Sequence, residues 1–283
     1  MGSTVLLWVG VMPWIISRVC SVSLPEISDE SFISECVEEH NRARRAVSPP
    51  ASDMLYMTWD EGLAITARAW AKRCVFEHNI HLKDAQRMHP SFPSVGENIW
   101  VGYPPSSFSV AAAMWRWVNE KESYSYKANS CTDVCGHYTQ VVWASSYKVG
   151  CAVQLCPNGV RQFTAAKGAI FVCNYATAGN TIGRQPYKSE EAVCSGCKGY
   201  CEDKLCRDQE RDLRRRYNWT PDWDTDETQK WDLRSTQNQD LRSTQNTDSS
   251  YRNILIIRPI ALIFTFITAY AVRYLYPDVF CYE

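Results

Sequence analysis

GHYTQVVWASSYKVGC, residues Gly136 to Cys151, is the stretch around which the rest of the chain is organised. Its segment Tyr138 to Trp143 is aromatic and β-branched apart from Gln140, a composition typical of a β-strand that is at least half buried. His137 would then lie where a strand meets a loop. A histidine there is suited to binding a metal or transferring a proton, because its charge changes near neutral pH. The alternative is a core histidine satisfied by backbone hydrogen bonds.

Four short motifs occur in order along the chain: HNRAR at 40–44, GENIW at 96–100, GHYTQVVW at 136–143 and FVCNYATAGN at 171–180. The last two resemble the two signatures of the CAP superfamily, which comprises cysteine-rich secretory proteins, antigen 5 and pathogenesis-related proteins. The first two resemble shorter motifs of the same superfamily. Four motifs in the expected order are very improbable by chance, and the resemblance covers roughly residues 30–207. The layout of the two ends is most similar to the glioma pathogenesis-related proteins.

Length, charge and cysteine content limit the class of protein. A chain of 283 residues with 45% hydrophobic content can bury one sizeable core, so we expect one main domain with appendages. The formal net charge of −1 offers no electrostatic basis for binding nucleic acid. Thirteen cysteines are far above average usage and indicate an oxidising compartment. We therefore expect an exported protein.

The first residues support export. The apolar run LLWVGVMPWII is followed by the small residues of 20–23, which predicts a signal peptide over residues 1–23. The alternative, a retained anchor, needs a longer apolar span.

Apolar residues recur at spacings of three and four in three segments, each of which predicts a helix. Ser28 or Asp29 caps the first, and Pro49-Pro50 follow its end. Asp60 caps the second. The third runs from about residue 107 to residue 124.

Strands are predicted after the helices, at 138–144, 149–156 and 169–175. Helices first and antiparallel strands afterwards favour an α+β domain over a doubly wound parallel sheet. The resemblance implies a three-layer α-β-α sandwich of the CAP type, over residues 30–185, with a central cavity.

Several polar residues fall at informative places. His78 lies just beyond the last periodic residue of the second helix, whereas His81 and His89 are interpreted as solvated loop residues. Glu120 falls on the apolar stripe of the third helix, where an unpartnered polar group costs on the order of 2 kcal/mol or more. Glu120 should therefore have a partner or face a cleft. The alternative is a stripe that ends one turn early.

By resemblance, His78, His137, Glu97 and Glu120 match the cavity tetrad of the superfamily position by position. Two imidazoles and a water can hold zinc, with the two glutamates orienting the water or accepting its proton. The same set could support metal-assisted hydrolysis. Two protein ligands are nevertheless fewer than the three usual in catalytic zinc sites.

Three functions are compatible with these residues. The first is an extracellular binding or signalling module whose cavity or rim takes a metal ion, lipid, sterol or partner protein. The second is a zinc-dependent hydrolase, and the third is a structural polar network without a ligand. We favour the first, because the resemblance implies binding and signalling more consistently than turnover.

A cysteine-rich hinge is predicted at residues 190–207. Its CxxC pair could suggest zinc, but in an exported chain two local disulfides are the better interpretation, as in the cysteine-rich secretory relatives. The four cysteines are Cys194, Cys197, Cys201 and Cys206.

The remaining cysteines are divided by position. Cys20 is removed with the predicted signal peptide and Cys281 falls in the predicted cytoplasmic tail. Of the other seven, six belong to the sandwich and Cys36 is left over as a small core residue. We expect Cys156 to pair with Cys173, because they flank one hairpin, and the pairing of the other four stays open. Those four are Cys74, Cys131, Cys135 and Cys151.

The last part of the chain predicts a membrane tether. Residues 208–253 are charged and polar, contain the tandem repeat DLRSTQNQ-DLRSTQNT, and are interpreted as a flexible stalk with a sequon for glycosylation at Asn218. Residues 254–272 are apolar enough for one membrane helix, leaving 273–283 as a cytoplasmic tail. A removable lipid-anchor signal fits less well, because the chain ends in polar residues. We expect a single-pass type I membrane protein, from which a secreted form could be shed.

Overall fold

The computed structural model describes residues 23–189 and 192–224. Short 3₁₀ turns lie at Pro105–Ser107 and Glu120–Ser123. The helices and strands of these residues are, in chain order, α1 (Glu30–Arg45), β1 (Thr58–Trp59), α2 (Glu61–Ala71), α3 (Ala85–Met88), β2 (Gly96–Gly102), α4 (Val110–Asn119), β3 (Tyr124–Ser125), β4 (Ser130–Cys131), α5 (Gly136–Val141), β5 (Lys148–Cys156), β6 (Gly168–Ala176), β7 (Tyr200–Glu202) and β8 (Leu205–Arg207).

Four strands form the central sheet, in the order β1-β5-β6-β2. Strands β5 and β2 both pair antiparallel with β6, and β1 pairs parallel with β5. Every residue of β6 is buried, because helices cover both faces of the sheet. Ile170 and Val172 pack in one core with α2, whereas Phe171 and Tyr175 pack in the other with α1 and α4. The α+β fold and its three α-β-α layers agree with the sequence prediction.

Two of the helix starts have side-chain caps. Asp60 Oδ1 accepts a hydrogen bond from the Leu63 amide at 3.0 Å, as predicted for α2. Ser109 Oγ accepts one from the Ala112 amide at 3.1 Å and begins α4, so the predicted third helix is too long at both ends. The amphipathic pattern alone did not mark these limits.

The prediction of a strand over residues 138–144 is wrong, because residues Gly136–Val141 form helix α5. Glu120 Oε2 accepts hydrogen bonds from the amides of His137 and Tyr138, at 2.9 and 3.2 Å, which satisfies two amides of the first helical turn. The last four residues of the helix are buried. Tertiary contacts here outweigh the local β-propensity.

The prediction that His89 is a solvated loop residue is also wrong, because only 1% of His89 is exposed. Its Nε2 lies 3.0 Å from Asp60 Oδ1, and its Nδ1 accepts hydrogen bonds from the amides of Ser91 and Phe92 at 3.0 and 3.1 Å. Both ring nitrogens therefore have partners, which is the condition for burying an imidazole.

The predicted Cys156–Cys173 disulfide is wrong, and the sheet register gives the reason. On β5 and β6, Cys173 lies opposite Cys151, whereas Cys156 lies opposite Gly168. The division of the cysteines is confirmed: six lie in the sandwich, four in the hinge, and Cys36 is free and buried. The disulfides join Cys74 to Cys156, Cys131 to Cys135, Cys151 to Cys173, Cys194 to Cys201, and Cys197 to Cys206.

The hinge is the β7–β8 hairpin with its two local disulfides, and it is tied to the sandwich. The Cys206 amide donates to the Met54 carbonyl at 2.7 Å, and the Tyr56 amide donates to the Cys206 carbonyl at 2.9 Å. Leu205 is fully buried in the core beside α1.

Residues 208–224, here called the C-terminal strap, lie against the sandwich. Lys148 Nζ donates to the Leu213 carbonyl at 2.8 Å, and the Tyr217 hydroxyl donates to Asp60 Oδ2 at 2.9 Å. The prediction that a flexible stalk begins at residue 208 does not hold for this segment, because its aromatic side chains are partly or fully packed on the sandwich.

The other predictions for the ends of the chain fall outside the described residues. They are the signal peptide before residue 23, the stalk beyond residue 224, the span 254–272 and the tail 273–283. Among residues 23–189 and 192–224, none of the helices has the length and apolar content needed to cross a membrane. Asn218 is exposed, and its glycosylation stays a prediction.

Candidate functional site

Strand β2, at the edge of the sheet, carries two adjacent polar residues, Glu97 and Asn98, on opposite faces. Successive strand residues alternate between faces, and the register sets Glu97 opposite Asn174 and Asn98 opposite Cys173. Cys173 belongs to the core shared with α1 and α4, whereas Ile99, two residues from Glu97, belongs to the core shared with α2. The GENIW motif therefore supplies one polar side chain to each side of the sheet.

The first half of the site pairs Glu97 with His78, which lies in the loop after α2. His78 Nδ1 lies 2.9 Å from Glu97 Oε1, and the same oxygen accepts the Asn79 amide at 2.9 Å. The Glu97 side chain is fully buried, whereas 62% of the His78 side chain is exposed. Burial raises the pKa of the Glu97 carboxyl above its ordinary value. The hydrogen bond to Glu97 raises the pKa of His78, and this effect exceeds the lowering caused by partial burial.

The second half pairs His137, in the first turn of α5, with Glu120, at the end of α4. His137 Nδ1 lies 2.6 Å from Glu120 Oε1, while Glu120 Oε2 accepts the two backbone amides at the start of α5. The His137 ring lies parallel to the Trp117 ring, with centroids 6.1 Å apart. Both side chains of the pair are partly buried. The expectation that Glu120 has a hydrogen-bonding partner is confirmed.

The two imidazoles have the same arrangement of ring nitrogens. An ionised carboxylate only accepts hydrogen bonds, so each Nδ1 carries the proton and donates it to its glutamate. Neither Nε2 atom has a hydrogen-bond partner among the residues that the structure describes. Histidines that bind metals commonly donate one ring N–H to a carboxylate and bind through the other nitrogen. Each pair therefore offers one imidazole Nε2 lone pair, a donor of the type that zinc takes.

The two pairs do not close into a compact cluster of donors. Within the described ranges, three potential ligand atoms lie within 4.8 Å of one another only at Cys194, Cys197 and Cys206. Those cysteines are in disulfides, so they offer no thiolate to a metal. A cation at the tetrad would have two imidazole ligands and complete its coordination with water.

A buried hydrogen-bond relay runs from the core to His137. His40 Nδ1 lies 2.6 Å from the Cys36 carbonyl, and its Nε2 lies 2.9 Å from the Tyr175 hydroxyl. Asn98 Nδ2 donates both to that hydroxyl, at 3.2 Å, and to the His137 carbonyl, at 3.0 Å. Burial lowers the pKa of His40 to about 4, so this imidazole is neutral at neutral pH.

Sequence reasoning missed this relay, although its members lie in motifs that it had singled out. His40 opens HNRAR, Asn98 is the third residue of GENIW, and Tyr175 belongs to FVCNYATAGN. Strand alternation within GENIW could have indicated that Asn98 faces away from Glu97.

Two clefts lie on the described surface, on the α1 and α4 side. One, of about 430 Å³, lies between α1 and α4 and is lined by apolar residues that include Ala43, Met114 and Val118, beside the exposed Trp115. The other, of about 310 Å³, lies near the starts of the same two helices. The predicted central cavity is not among them.

Comparison with known proteins shows similarity over most of the described chain. The profile of the CAP, or Cysteine-rich secretory protein, family matches residues 37–175. GLIPR1-like protein 1 of Bos taurus is 50% identical over 200 residues, which cover 70% of this chain and 80% of that protein. Glioma pathogenesis-related protein 1 of Mus musculus is 48% identical over 222 residues, or 75% of this chain and 82% of that protein. Among solved structures, NaASP2 with Zn²⁺ is 26% identical with a TM-score of 0.49, covering 63% of this chain and 96% of that one.

Proposed function

The chain belongs to the CAP family of cysteine-rich secretory proteins, and on that premise we propose that it is an extracellular binding module that holds a divalent cation, zinc first, at His78 and His137. The observation that carries the proposal is the shared state of the two imidazoles. Each uses Nδ1 for its own glutamate and leaves Nε2 without a protein partner.

The glutamates have supporting roles in this proposal. Glu97 and Glu120 each accept an imidazole N–H, which selects the tautomer with a lone pair on Nε2 and orients the ring. Zinc, when bound, would act as a Lewis acid and present coordinated water at the site. A water of that kind could serve either as a contact to a bound partner or as the nucleophile of a hydrolase.

Binding is favoured over hydrolysis by the surroundings of the tetrad. Among the described residues, neither imidazole is hydrogen-bonded to a serine, threonine or cysteine side chain, which argues against a covalent nucleophile at the tetrad and leaves zinc-bound water as the nucleophile that a hydrolase would need. The protein ligands are two rather than the three usual in catalytic zinc sites. A zinc-dependent hydrolase remains the alternative that the experiment must separate.

The test is zinc titration by calorimetry on the full chain, expressed through the secretory pathway and purified in detergent. We expect binding by the parent and near-complete loss in His78→Ala, His137→Ala and the double variant, because each removes one of two protein ligands. Thermal unfolding of every variant controls for folding. A double variant that binds zinc as tightly as the parent would overturn the proposal and leave a structural polar network.

A turnover assay on the parent and on two glutamate variants distinguishes hydrolysis from binding. The parent is assayed with zinc against ester and peptide substrates, alongside Glu97→Gln and Glu120→Gln. Zinc-dependent turnover that disappears in a glutamate variant which still binds zinc would favour the hydrolase.

A lipid or sterol is a second candidate ligand, at a different place. The cleft of about 430 Å³ between α1 and α4 exposes mainly apolar surface, although Glu39, Arg42 and Lys121 also line it, and Trp115 in its wall is 65% exposed. An apolar cleft bordered by an aromatic side chain is the kind of place where an apolar ligand can bind. Sterol and fatty-acid binding should fall when Trp115 is replaced by Asp, and equal binding by both proteins would exclude this cleft.

The proposal includes the predicted membrane topology. A signal peptide at 1–23, a span at 254–272 and a cytoplasmic tail would leave the disulfide-bonded domain outside the cell, where its five disulfides are stable. Protease added to intact cells should then release the domain. Protection of the domain from protease would show the opposite orientation.

A further inference from the structure

Trp223, next to the end of the C-terminal strap, is buried against the sandwich. Only 6% of Trp223 is exposed. Its Nε1 donates to the Arg87 carbonyl at 2.8 Å, and Arg73 donates to the Trp223 carbonyl at 2.8 Å. The Arg73 guanidinium also lies 5.9 Å from the centre of the Trp223 ring. Two hydrogen bonds and a cation–π contact therefore hold this one residue of the strap.

The ring of Trp223 packs on two residues that border the loop carrying His78. It stacks on His81 with centroids 5.0 Å apart, and it meets Trp70 of α2 edge-on at 6.3 Å. Ring contacts of this geometry stabilise beyond the apolar area that they bury. Trp223 thus contacts both ends of a short loop, beside two ion pairs that join the strap to the same region, Lys72–Asp224 at 3.5 Å and Arg87–Asp222 at 2.9 Å.

The same two residues hold the backbone on each side of His78. Trp70 Nε1 donates to the Glu77 carbonyl at 2.8 Å. The His81 amide donates to Asn79 Oδ1 at 2.9 Å, and the Asn79 amide donates to Glu97 Oε1. The residues immediately before and after His78 are therefore fixed by groups on which Trp223 packs.

His78 itself has little packing of its own, because 62% of its side chain is exposed. Its position depends on the loop backbone and on the single hydrogen bond to Glu97. Ligands bind more tightly where the protein already holds the binding geometry, since less freedom is lost on binding. We infer that Trp223 is a positioning residue for His78, and that the strap organises this half of the metal site.

This inference rests on the proposed role of His78 as a metal ligand, but it has a consequence that needs no metal. Without Trp223, the loop at 77–82 should open more often, while α5, which carries His137, should not change. The strap makes no hydrogen bond, ion pair or ring contact with His137 or Glu120 in the described part of the chain.

The experiment compares Trp223→Ala with Leu213→Ala in the full chain. Leu213 lies in the same strap with its side chain exposed, so its loss controls for a change in the segment itself. Amide hydrogen exchange without added metal should be about tenfold faster or more at 77–82 in Trp223→Ala, and unchanged at 136–141. The Leu213→Ala chain should match the parent.

Zinc calorimetry on the same proteins gives the second measurement. We expect affinity to fall about tenfold in Trp223→Ala, in the range typical for residues that support a ligand. Trp223→Phe, which retains an aromatic ring but not the indole N–H, should recover most of that loss. If the parent binds no zinc, the proposed function fails, and the exchange result alone decides whether Trp223 positions the loop.

Arg73→Met is a milder variant in case Trp223→Ala does not fold. It removes the bond to the Trp223 carbonyl and the cation–π contact but leaves the tryptophan in place. Faster exchange at 77–82 in this variant supports the inference. Exchange equal to the parent in both variants overturns it.

Discussion

The two halves of the candidate site have the same chemistry but different supports. His137 is held by the protein interior: Glu120 binds its ring and its backbone amide, and the buried relay from Tyr175 through Asn98 binds its carbonyl. His78 is instead carried by a surface loop. Trp70 donates a hydrogen bond to the Glu77 carbonyl of that loop, and Trp70 in turn packs against Trp223 of the strap.

The two carboxylates also differ in how their oxygens are used. Glu97 uses one oxygen, Oε1, for both the His78 ring and the Asn79 amide. Glu120 uses both oxygens: Oε1 accepts from the His137 ring, and Oε2 accepts from two backbone amides. Two identical side chains in equivalent pairs should therefore respond differently to the same substitution.

The largest expected effect concerns the core support of the His137 half. Burial lowers the pKa of His40 to about 4, below its ordinary value near 6.5. Between about pH 4 and pH 6.5, His40 is therefore protonated in the unfolded chain but neutral in the folded protein. His40 therefore contributes stability that is fully present above about pH 6.5 and is lost as pH falls towards 4. The change corresponds to about 3 kcal/mol.

Denaturant unfolding of the parent and of His40→Gln at pH 7, 5.5 and 4 measures this effect. The glutamine does not titrate, so the stability difference between the two proteins should shrink as pH falls. A constant difference across the three pH values would show that His40 is not the source.

The second effect compares Glu120→Gln with Glu97→Gln in zinc affinity. In Glu120→Gln the amide oxygen is needed by the backbone amides of α5, so the NH₂ group faces His137 Nδ1 and forces the proton onto Nε2. That tautomer has no lone pair for the metal, and affinity should fall about 10–100-fold. In Glu97→Gln one amide oxygen can still accept both hydrogen bonds, so affinity should stay close to that of the parent.

Calorimetry measures both affinities, and the ¹⁵N shifts of the two imidazoles report the tautomers directly. Equal losses of zinc affinity in the two variants would mean that the different use of the two carboxylate oxygens has no effect on metal binding.

The smallest effect is a change in the titration of His78. The hydrogen bond to Glu97 is the largest cause that raises its pKa, so Glu97→Gln should move that pKa downward, towards the ordinary value. NMR titration of the metal-free chain measures it, with Glu120→Gln as the matched control, since Glu120 belongs to the other pair. A pKa of His78 that stays the same in Glu97→Gln would contradict the assigned cause.

The sequence alone determined the family, the α+β class and the grouping of the cysteines, whereas the tetrad stays a prediction from the resemblance. These features depend on residue identity and local order, as in GHYTQVVW, GENIW and the Asp60 cap. Periodicity likewise indicated that Glu120 needs a partner, because 3.6 residues per turn bring it into line with Ala113 and Trp117. In the structure α4 ends at Asn119, and Glu120 follows it, partly buried and hydrogen-bonded to His137.

Only the tertiary structure decided the features that depend on contacts between distant segments. Residues 138–141 are helical rather than extended because Glu120 binds the amides at the start of α5. Cys156 bonds to Cys74 because the register of β5 and β6 places Cys173 opposite Cys151. His89 is buried because Asp60 and two backbone amides satisfy its ring.

The strap shows most clearly that contacts between distant segments cannot be predicted from local sequence. Composition placed residues 208–224 in a flexible stalk, because the segment is charged and polar and has few apolar residues to bury. Trp223 nevertheless finds a site formed by Trp70, Arg73 and His81, which lie 142 to 153 residues earlier in the chain. A local pattern carries no information on a partner so distant in sequence, and the burial that the partner provides decides where the strap lies.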